Sequence, residues 1–362
     1  MKASSLYVHV PFCENKCGYC SFYSEAGRFS DVEVWLEALD VEARKYFDDD
    51  KIKLRTLYVG GGTPSILTLS QWQKLMRIIA EYFDISTLTE ATSEANPNSI
   101  TPEHVRFLRE NNFTRLSLGV QSLNDNELAI LGRLHNSRKA LSAMELVRKS
   151  GLNLSCDLIF GIPGQNLRSW DYSLKRVMNF ASHISCYQLT LEPDTPLAKK
   201  YGNDELNYSG YKFYRYAQYI LPKRNFLQYE ISNFSPSGFE CQHNLAYWHQ
   251  DNVIALGPSA VSYVDGVRYA NPATLDEYIN AAKNNFPDEC RTYERLSAHD
   301  RNIELIILSL RTKWGVSREI ITPEVDAKIS AMPEDLFIKT DDRISLSKRG
   351  MRLGNAIWSE MI

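Results

Sequence analysis

The chain has 362 residues, 44% of them apolar and 23% charged, with a formal net charge of −3. That length holds one large domain with an appendage, or two to three small ones, and the apolar share suffices for a sizeable core. No run of about 18 apolar residues occurs, which argues against a membrane-spanning helix, and the small net charge gives no global attraction to nucleic acid or acidic lipid.

Up to about residue 200, short apolar runs alternate with longer helical patterns, the sequence form of repeated βα units around a parallel sheet. Strands are predicted at Leu6–Val10, Thr56–Val59, Thr89–Ala95, Arg115–Leu118, Leu154–Phe160 and Ile184–Leu191. Helix signals lie between them. Ser70 with Gln73 reads as a capping box, Thr101-Pro102 places proline at a first helical position, and Ser137–Lys149 carries Ala140, Leu141, Met144 and Val147 at helical spacing. Six units are too few for an eight-stranded barrel, so the expected fold class is α/β, a partial (β/α)6 barrel.

Each predicted strand runs into polar or glycine residues. The first meets a cysteine loop, the second Gly60-Gly61-Gly62-Thr63-Pro64, and the third Ser93-Glu94-Ala95-Asn96-Pro97. Gly119-Val120-Gln121-Ser122 follows the fourth, the fifth holds Asp157 before Gly161-Ile162-Pro163-Gly164, and the sixth carries Gln188 and Thr190. Parallel barrels gather their active sites at the carboxyl ends of the strands, so these residues are expected on one rim.

The cysteine loop places Cys13, Cys17 and Cys20 in the pattern C-x3-C-x2-C. It offers three thiolates to a 4Fe-4S cluster, which normally takes four. One iron then lacks a protein ligand, and S-adenosylmethionine (SAM) can fill that position through its amino and carboxylate groups. Zinc is the competing reading, with His9 available as a fourth ligand, but zinc cysteines usually come in pairs with a second pair well downstream. Seven cysteines is an odd number for disulfide pairing, and the opening MKASSLYVHV lacks the apolar core of a signal peptide. A reduced, cytoplasmic chain is therefore expected.

The triple glycine lets backbone approach a ligand without side-chain obstruction, against the plainer reading of a tight turn. Glu94, Gln121, Arg133 and Asp157 are the polar candidates around a cofactor, because a carboxylate accepts from an ammonium or ribose hydroxyl and a guanidinium forks onto a carboxylate. Their ordinary alternatives are a strand-end cap, a turn, a solvated helix face and a buried acceptor. With its cysteine spacing, the chain resembles the radical SAM superfamily, which implies the same partial barrel.

A narrower resemblance rests on Y-x-H-x-P-F-C, GGGTP, S-x-A-N-P, GVQS, G-R-x-H, DLI-x-G-x-P-G-Q and YQLT-x-EP-x-T. As a set these are similar to the oxygen-independent coproporphyrinogen III dehydrogenase family over nearly the whole chain. The resemblance implies that Cys13, Cys17 and Cys20 hold the cluster and that Tyr7, Gly61, Glu94 and Thr190 contact SAM. Tyr19, Gly62, Thr63, Gln121, Arg133 and Asp157 match positions that contact a second SAM in the decarboxylating members. Three features point to the HemW-type haem chaperone branch. Cys20 is followed by Ser21-Phe22 rather than by a further cysteine, only twelve residues precede Cys13, and His243-Asn244-Leu245-Ala246-Tyr247-Trp248 reproduces H-N-x-x-Y-W.

If that hexapeptide starts a helix, His243 and Tyr247 share one face, and an imidazole is a standard axial haem ligand. A core turn with an aromatic anchor is the ordinary alternative, and His249 and Cys241 are rival ligands. Downstream, Val261 stands where the family's G-x-G-x-x-A-H-S segment usually has histidine, so that residue's role does not carry over. Tyr229–Phe234 matches the family and is expected to form a strand with a turn.

The expected division is a barrel over 1–200, an extension with the haem motif over 201–290, and a winged-helix-like α+β appendage over 291–362. Helices are expected around Asp300–Thr312, around Ser317–Ile321 and from about Ser347, with a hairpin over Phe337–Leu346. The last segment balances 12 Lys and Arg against 11 Asp and Glu, so it lacks the basic footprint of a DNA reader, and a cover or protein-docking surface is expected. Two functions follow from the resemblance. The first is a haem chaperone passing haem to an acceptor such as a respiratory haemoprotein, the cluster and SAM serving regulation, homodimer formation or an undefined chemical step. The second is oxygen-independent coproporphyrinogen III oxidase activity, radical decarboxylation in porphyrin biosynthesis.

Overall fold

The computed structural model describes residues 4–47, 50–202 and 210–361. The chain opens with strand β1 (Ser4–Val10), then two short segments, β2 (Phe12–Cys13) and β3 (Glu25–Ala26), which pair with each other across the cysteine loop. Helix α1 (Val32–Arg44) leads to β4 (Ile52–Gly61), and α2 (Leu69–Tyr82) with the short β5 (Phe83–Asp84) leads to β6 (Glu90–Ala95). Next come α3 (Pro102–Glu110), β7 (Arg115–Gln121), α4 (Asp125–Ile130), α5 (Ser137–Ser150), β8 (Asn153–Phe160), α6 (Leu167–Val177) and β9 (His183–Gln188).

The capping of α2 lies two residues before the expected position. Thr68 accepts from the Gln71 backbone N–H at 3.3 Å while the Gln71 side chain accepts from Thr68 N–H at 2.9 Å. Two overlapping patterns, T-x-x-Q and S-x-x-Q, compete here, and the earlier one adds about half a turn to the helix. Thr101 caps α3 with Pro102 in the first turn, and α5 ends at Gly151, whose φ of 79° is the left-handed geometry of a helix stop.

Seven strands run parallel in the order β9-β8-β7-β6-β4-β1-β12, one more than expected. The seventh, β12 (Val253–Leu256), pairs with β1 in the register Leu6↔Ile254 and Val8↔Leu256. Its four-residue apolar run has no helical crossover signal before it. Instead, α7 (Pro196–Tyr201), α8 (Gly210–Ile220), β10 (Leu227–Gln228), β11 (Asn233–Ser235) and α9 (Gln242–Trp248) intervene. Antiparallel β11 and β10 extend the sheet beyond β9. On the other side β13 (Val261–Val264), β14 (Val267–Ala270) and, after α10 (Leu275–Lys283), β15 (Thr292–Arg295) extend it beyond β12. Because β9 and β12 do not pair, the barrel stays open. The sixth strand ends at Gln188 rather than Leu191, leaving Thr190 in the following loop.

Strand alternation sorts the side chains. Leu116, Leu118, Leu154, Cys156, Leu158, Ile184 and Cys186 pack in the main hydrophobic core. Their neighbours Ser117, Ser155, Asp157, His183, Ser185 and Tyr187 face an inner cavity.

From residue 298 a second apolar cluster forms. It joins α11 (Ala298–Leu310), α12 (Pro323–Ala331), α13 (Lys348–Arg352) and α14 (Gly354–Met361) with an antiparallel sheet of β16 (Val316–Ser317), β18 (Arg343–Leu346) and β17 (Phe337–Lys339). The helix expected at Ser317–Ile321 is a strand residue followed by one 3-10 turn, because Ser317 pairs with Arg343 across the sheet. This segment is fastened to the rest by the backbone bond from Lys313 N to Tyr229 O at 2.8 Å. Arg311, stacked over Trp248 and Trp358, adds a second tie.

Candidate functional site

A cavity of about 450 Å³ fills the barrel interior and opens at the carboxyl ends of the strands. Of the residues singled out from sequence as candidate ligands, all but Tyr7, His9, His243 and His249 line it. Cys13, Cys17 and Cys20 are free thiols of intermediate exposure, on a loop whose Glu14, Asn15 and Lys16 face solvent. Gly18 anchors that loop by accepting from Leu197 N at 2.8 Å and donating to Leu131 O at 3.1 Å. Among the described residues no three His, Cys, Asp or Glu side chains converge on a single metal-ion position.

Two polar groups reach the sulfurs. Arg133 Nη1 lies 3.3 Å from Cys17 Sγ, while its Nη2 donates to Gly119 O at 2.9 Å. The Thr63 hydroxyl lies 3.4 Å from Cys13 Sγ. A guanidinium and a hydroxyl thus lie within hydrogen-bonding reach of two of the three thiols. Burial raises the thiol pKa of Cys20, and it pushes the Tyr19 phenol up as well.

The glycines after β4 are required first by the protein itself. A Cβ on Gly61, where φ is 103°, would meet the His9 ring at 2.5 Å, and one on Gly62 would meet Phe12 O at 2.5 Å. The close approach lets Gly62 N donate to Val10 O and Thr63 N to Phe12 O, both at 2.8 Å, binding the second loop to the cysteine loop. Gly61 N then donates to Glu94 Oε2 at 3.0 Å, and Tyr58 donates to Glu94 Oε1 at 2.7 Å. Burial raises the Glu94 carboxyl to about 7 in spite of these two donors.

Gln121 sits at a register shift between β7 and β8 with φ of 62°, a left-handed conformation uncommon for a side-chain-bearing residue. Asp157 accepts from Ser117 Oγ at 3.0 Å, and burial raises its carboxyl. Tyr7 stands on β1, its hydroxyl 3.0 Å from His9 Nδ1.

The H-N-x-x-Y-W segment is helical, as α9, and lies at the opposite end of the barrel. Glu90, at the start of β6, accepts from Gln242 N at 3.1 Å and His243 N at 3.0 Å and pairs with Arg115 at 3.3 Å. Cys241 and Asn244 line the cavity floor. His243 does not. It is 1% exposed, its Nδ1 is 2.8 Å from Thr56 Oγ1, and its ring is stacked on Tyr58. Burial lowers its pKa to about 3. Its Nε2 is buried without a hydrogen-bond partner. Cys241 is buried too, at 3% exposure, whereas His249 at the end of α9 is exposed.

Sequence reasoning passed over Tyr58 and the inner polar layer of Thr92, Arg115, Ser117, Ser155, His183 and Ser185. In β7, β8 and β9 their signal is present as polar residues at every second position, with apolar residues between them. Thr92 Oγ1 and Arg115 Nη1 are buried without a hydrogen-bond partner.

The radical SAM superfamily profile matches residues 7–177. The chain is 31% identical to the haem chaperone HemW of Lactococcus lactis over 377 aligned positions, covering 100% of this chain and 98% of that one. It is also 31% identical to the haem chaperone HemW of Bacillus subtilis, covering 99% of each. In fold it is similar to coproporphyrinogen III oxidase (HemN) of Escherichia coli, with a TM-score of 0.85 at 20% identity over 99% of this chain and 90% of that one.

Proposed function

The chain belongs to the radical SAM superfamily as a close relative of HemW-type haem chaperones, and from that membership we propose that it binds a 4Fe-4S cluster, SAM and haem and passes haem to a haemoprotein acceptor. The observation that carries this reading is the end-to-end relationship to curated haem chaperones at 31% identity. Cys13, Cys17 and Cys20 would hold the cluster, since three free, part-exposed thiols on one loop suit that donor set. When bound, the cluster and SAM supply radical chemistry.

Glu94, fixed by Tyr58 and Gly61, would accept the ammonium of SAM, with Thr190 and Tyr7 completing that subsite. Tyr19, Gly62, Thr63, Gln121, Arg133 and Asp157 would face a second SAM. Residues 1–200 would act as the radical SAM barrel, 201–290 as the extension that floors it, and 291–362 as a winged-helix-like cover or docking surface. Among the described residues no helix is long and apolar enough to cross a membrane.

The test is anaerobic. The cluster is reconstituted, haem is loaded, and transfer to an apo-haemoprotein is followed by absorption. In parallel, reductant, SAM and coproporphyrinogen III are supplied with a known dehydrogenase as control. Haem transfer without decarboxylated porphyrinogen supports the chaperone. Product at the control's rate replaces it with the decarboxylase.

A further inference from the structure

Between the carboxyl end of α9 and the β17–β18 hairpin lies an open cleft of about 660 Å³, within the roughly 300–1,000 Å³ typical of small-molecule sites. Leu245, His249, Lys313, Trp314, Ile338 and Arg343 line it. Trp314 is 40% exposed and Ile338 55%, so two large apolar side chains face solvent across the same opening. His249 is exposed as well, and no hydrogen bond from another described side chain engages its ring. Two cations complete the wall. Arg343 is held by Trp314 O at 2.7 Å and Gly315 O at 2.9 Å, which fixes the guanidinium without using a carboxylate. Lys313 pairs with Glu240 at 3.1 Å. Asp342 also lines the cleft and is engaged by the Thr340 hydroxyl at 2.7 Å.

We infer that this cleft is the haem-docking site, with His249 as the axial ligand, Trp314 and Ile338 against the porphyrin face, and Arg343 with Lys313 opposite its carboxylates. The inference rests on the haem-carrying reading above. A neutral imidazole is the commonest haem ligand, a flat apolar ring needs apolar walls, and a guanidinium pairs with carboxylates bidentately. Leu245 and His249, four positions apart, both face the cleft, while Asn244 on the same helix faces the barrel cavity. One short helix therefore separates the proposed cargo from the proposed cofactor site.

The experiment titrates ferric haem into the full-length, anaerobically purified protein and follows the Soret band against a cluster-only reference. The wild type is expected to show an imidazole-ligated spectrum. His249→Ala is expected to lose that signature and bind on the order of tenfold or more weakly, with added imidazole restoring the spectrum. Trp314→Ala should weaken binding while keeping the ligation signature. Arg343→Gln should weaken haem but leave the affinity for haem dimethyl ester unchanged. An unaltered spectrum and affinity in His249→Ala overturns the site while leaving the cargo reading standing. A wild type that binds no haem overturns both.

Discussion

The imidazole of His243 is stacked on the phenol of Tyr58, ring centroids 5.1 Å apart and planes 29° from parallel. That same phenol donates to Glu94 at 2.7 Å. The motif helix at the floor of the barrel is thus joined through two successive contacts to the carboxylate proposed to receive SAM. A displacement of α9 therefore has to be absorbed by Tyr58 or transmitted through it.

Replacing His243 with Ala should therefore act in two ways. Loss of a fully buried ring that also bonds Thr56 should destabilise the fold by about 1–3 kcal/mol, read as a lowered melting temperature. It should also weaken SAM binding, measured by calorimetric titration on the reconstituted protein, because Tyr58 loses the surface against which it rests. A destabilised variant with wild-type SAM affinity would show that the helix only packs.

Glu94 gives a pH dependence with a definite sign. Its carboxyl is raised from 4.5 to about 7, first by burial, against the donors Tyr58 and Gly61 N and with the Asp157 charge adding to the rise. Below about 7 it is protonated in the folded protein, and accepting an ammonium requires proton loss. SAM affinity should then fall by about tenfold per pH unit below 7 and be flat above it. The unliganded protein should lose stability as pH rises from 4.5 through about 7, because the unfolded carboxyl ionises first. Glu230, also raised to about 7 by burial, has the same sign, so the stability term is read as the difference between wild type and Glu94→Gln. Tyr58→Phe keeps the ring but removes a donor to the carboxylate, and should move the midpoint of the SAM profile to higher pH.

The three cysteines are tested by colour and metal content. Cys13→Ser, Cys17→Ser or Cys20→Ser should each give a protein that is pale after strictly anaerobic purification, against a brown wild type carrying iron and sulfide. A colourless, zinc-loaded wild type would remove the cluster from the account and every SAM role with it.

Much of this site was legible because its signals are local. C-x3-C-x2-C, GGGTP and GVQS are contiguous, and each follows an apolar run long enough to read as a strand, so their meeting on one rim follows from the parallel topology alone. What lay hidden depends on contacts distant in sequence. Val253–Leu256 is too short to distinguish from a buried helical turn by periodicity, and only its ladder with β1 makes it a strand. His243 reads as a ligand when its helix is considered alone. Its burial is set by Thr56 and Tyr58, nearly two hundred positions away. The glycines at 61 and 62 fit room for a ligand or a tight turn equally in sequence, and the structure shows a prior requirement in His9 and Phe12.

Gln121 offers the sharpest separation of binding from stability. Its φ of 62° costs a side-chain-bearing residue about 1–2 kcal/mol, which glycine would avoid, although glycine gives back part of that gain through greater freedom in the unfolded chain. The amide lines the cavity close to Gly119 and Arg133, since a Cβ placed on Gly119 would meet Gln121 Nε2 at 2.9 Å and Arg133 Nη2 at 3.3 Å. Gln121→Gly should therefore hold or raise the melting temperature while weakening SAM binding, the pattern expected where strain is kept for the sake of a ligand. Thermal unfolding and SAM titration on the same preparation read both quantities. A variant that loses stability together with affinity would assign Gln121 to the architecture of the bulge rather than to the site.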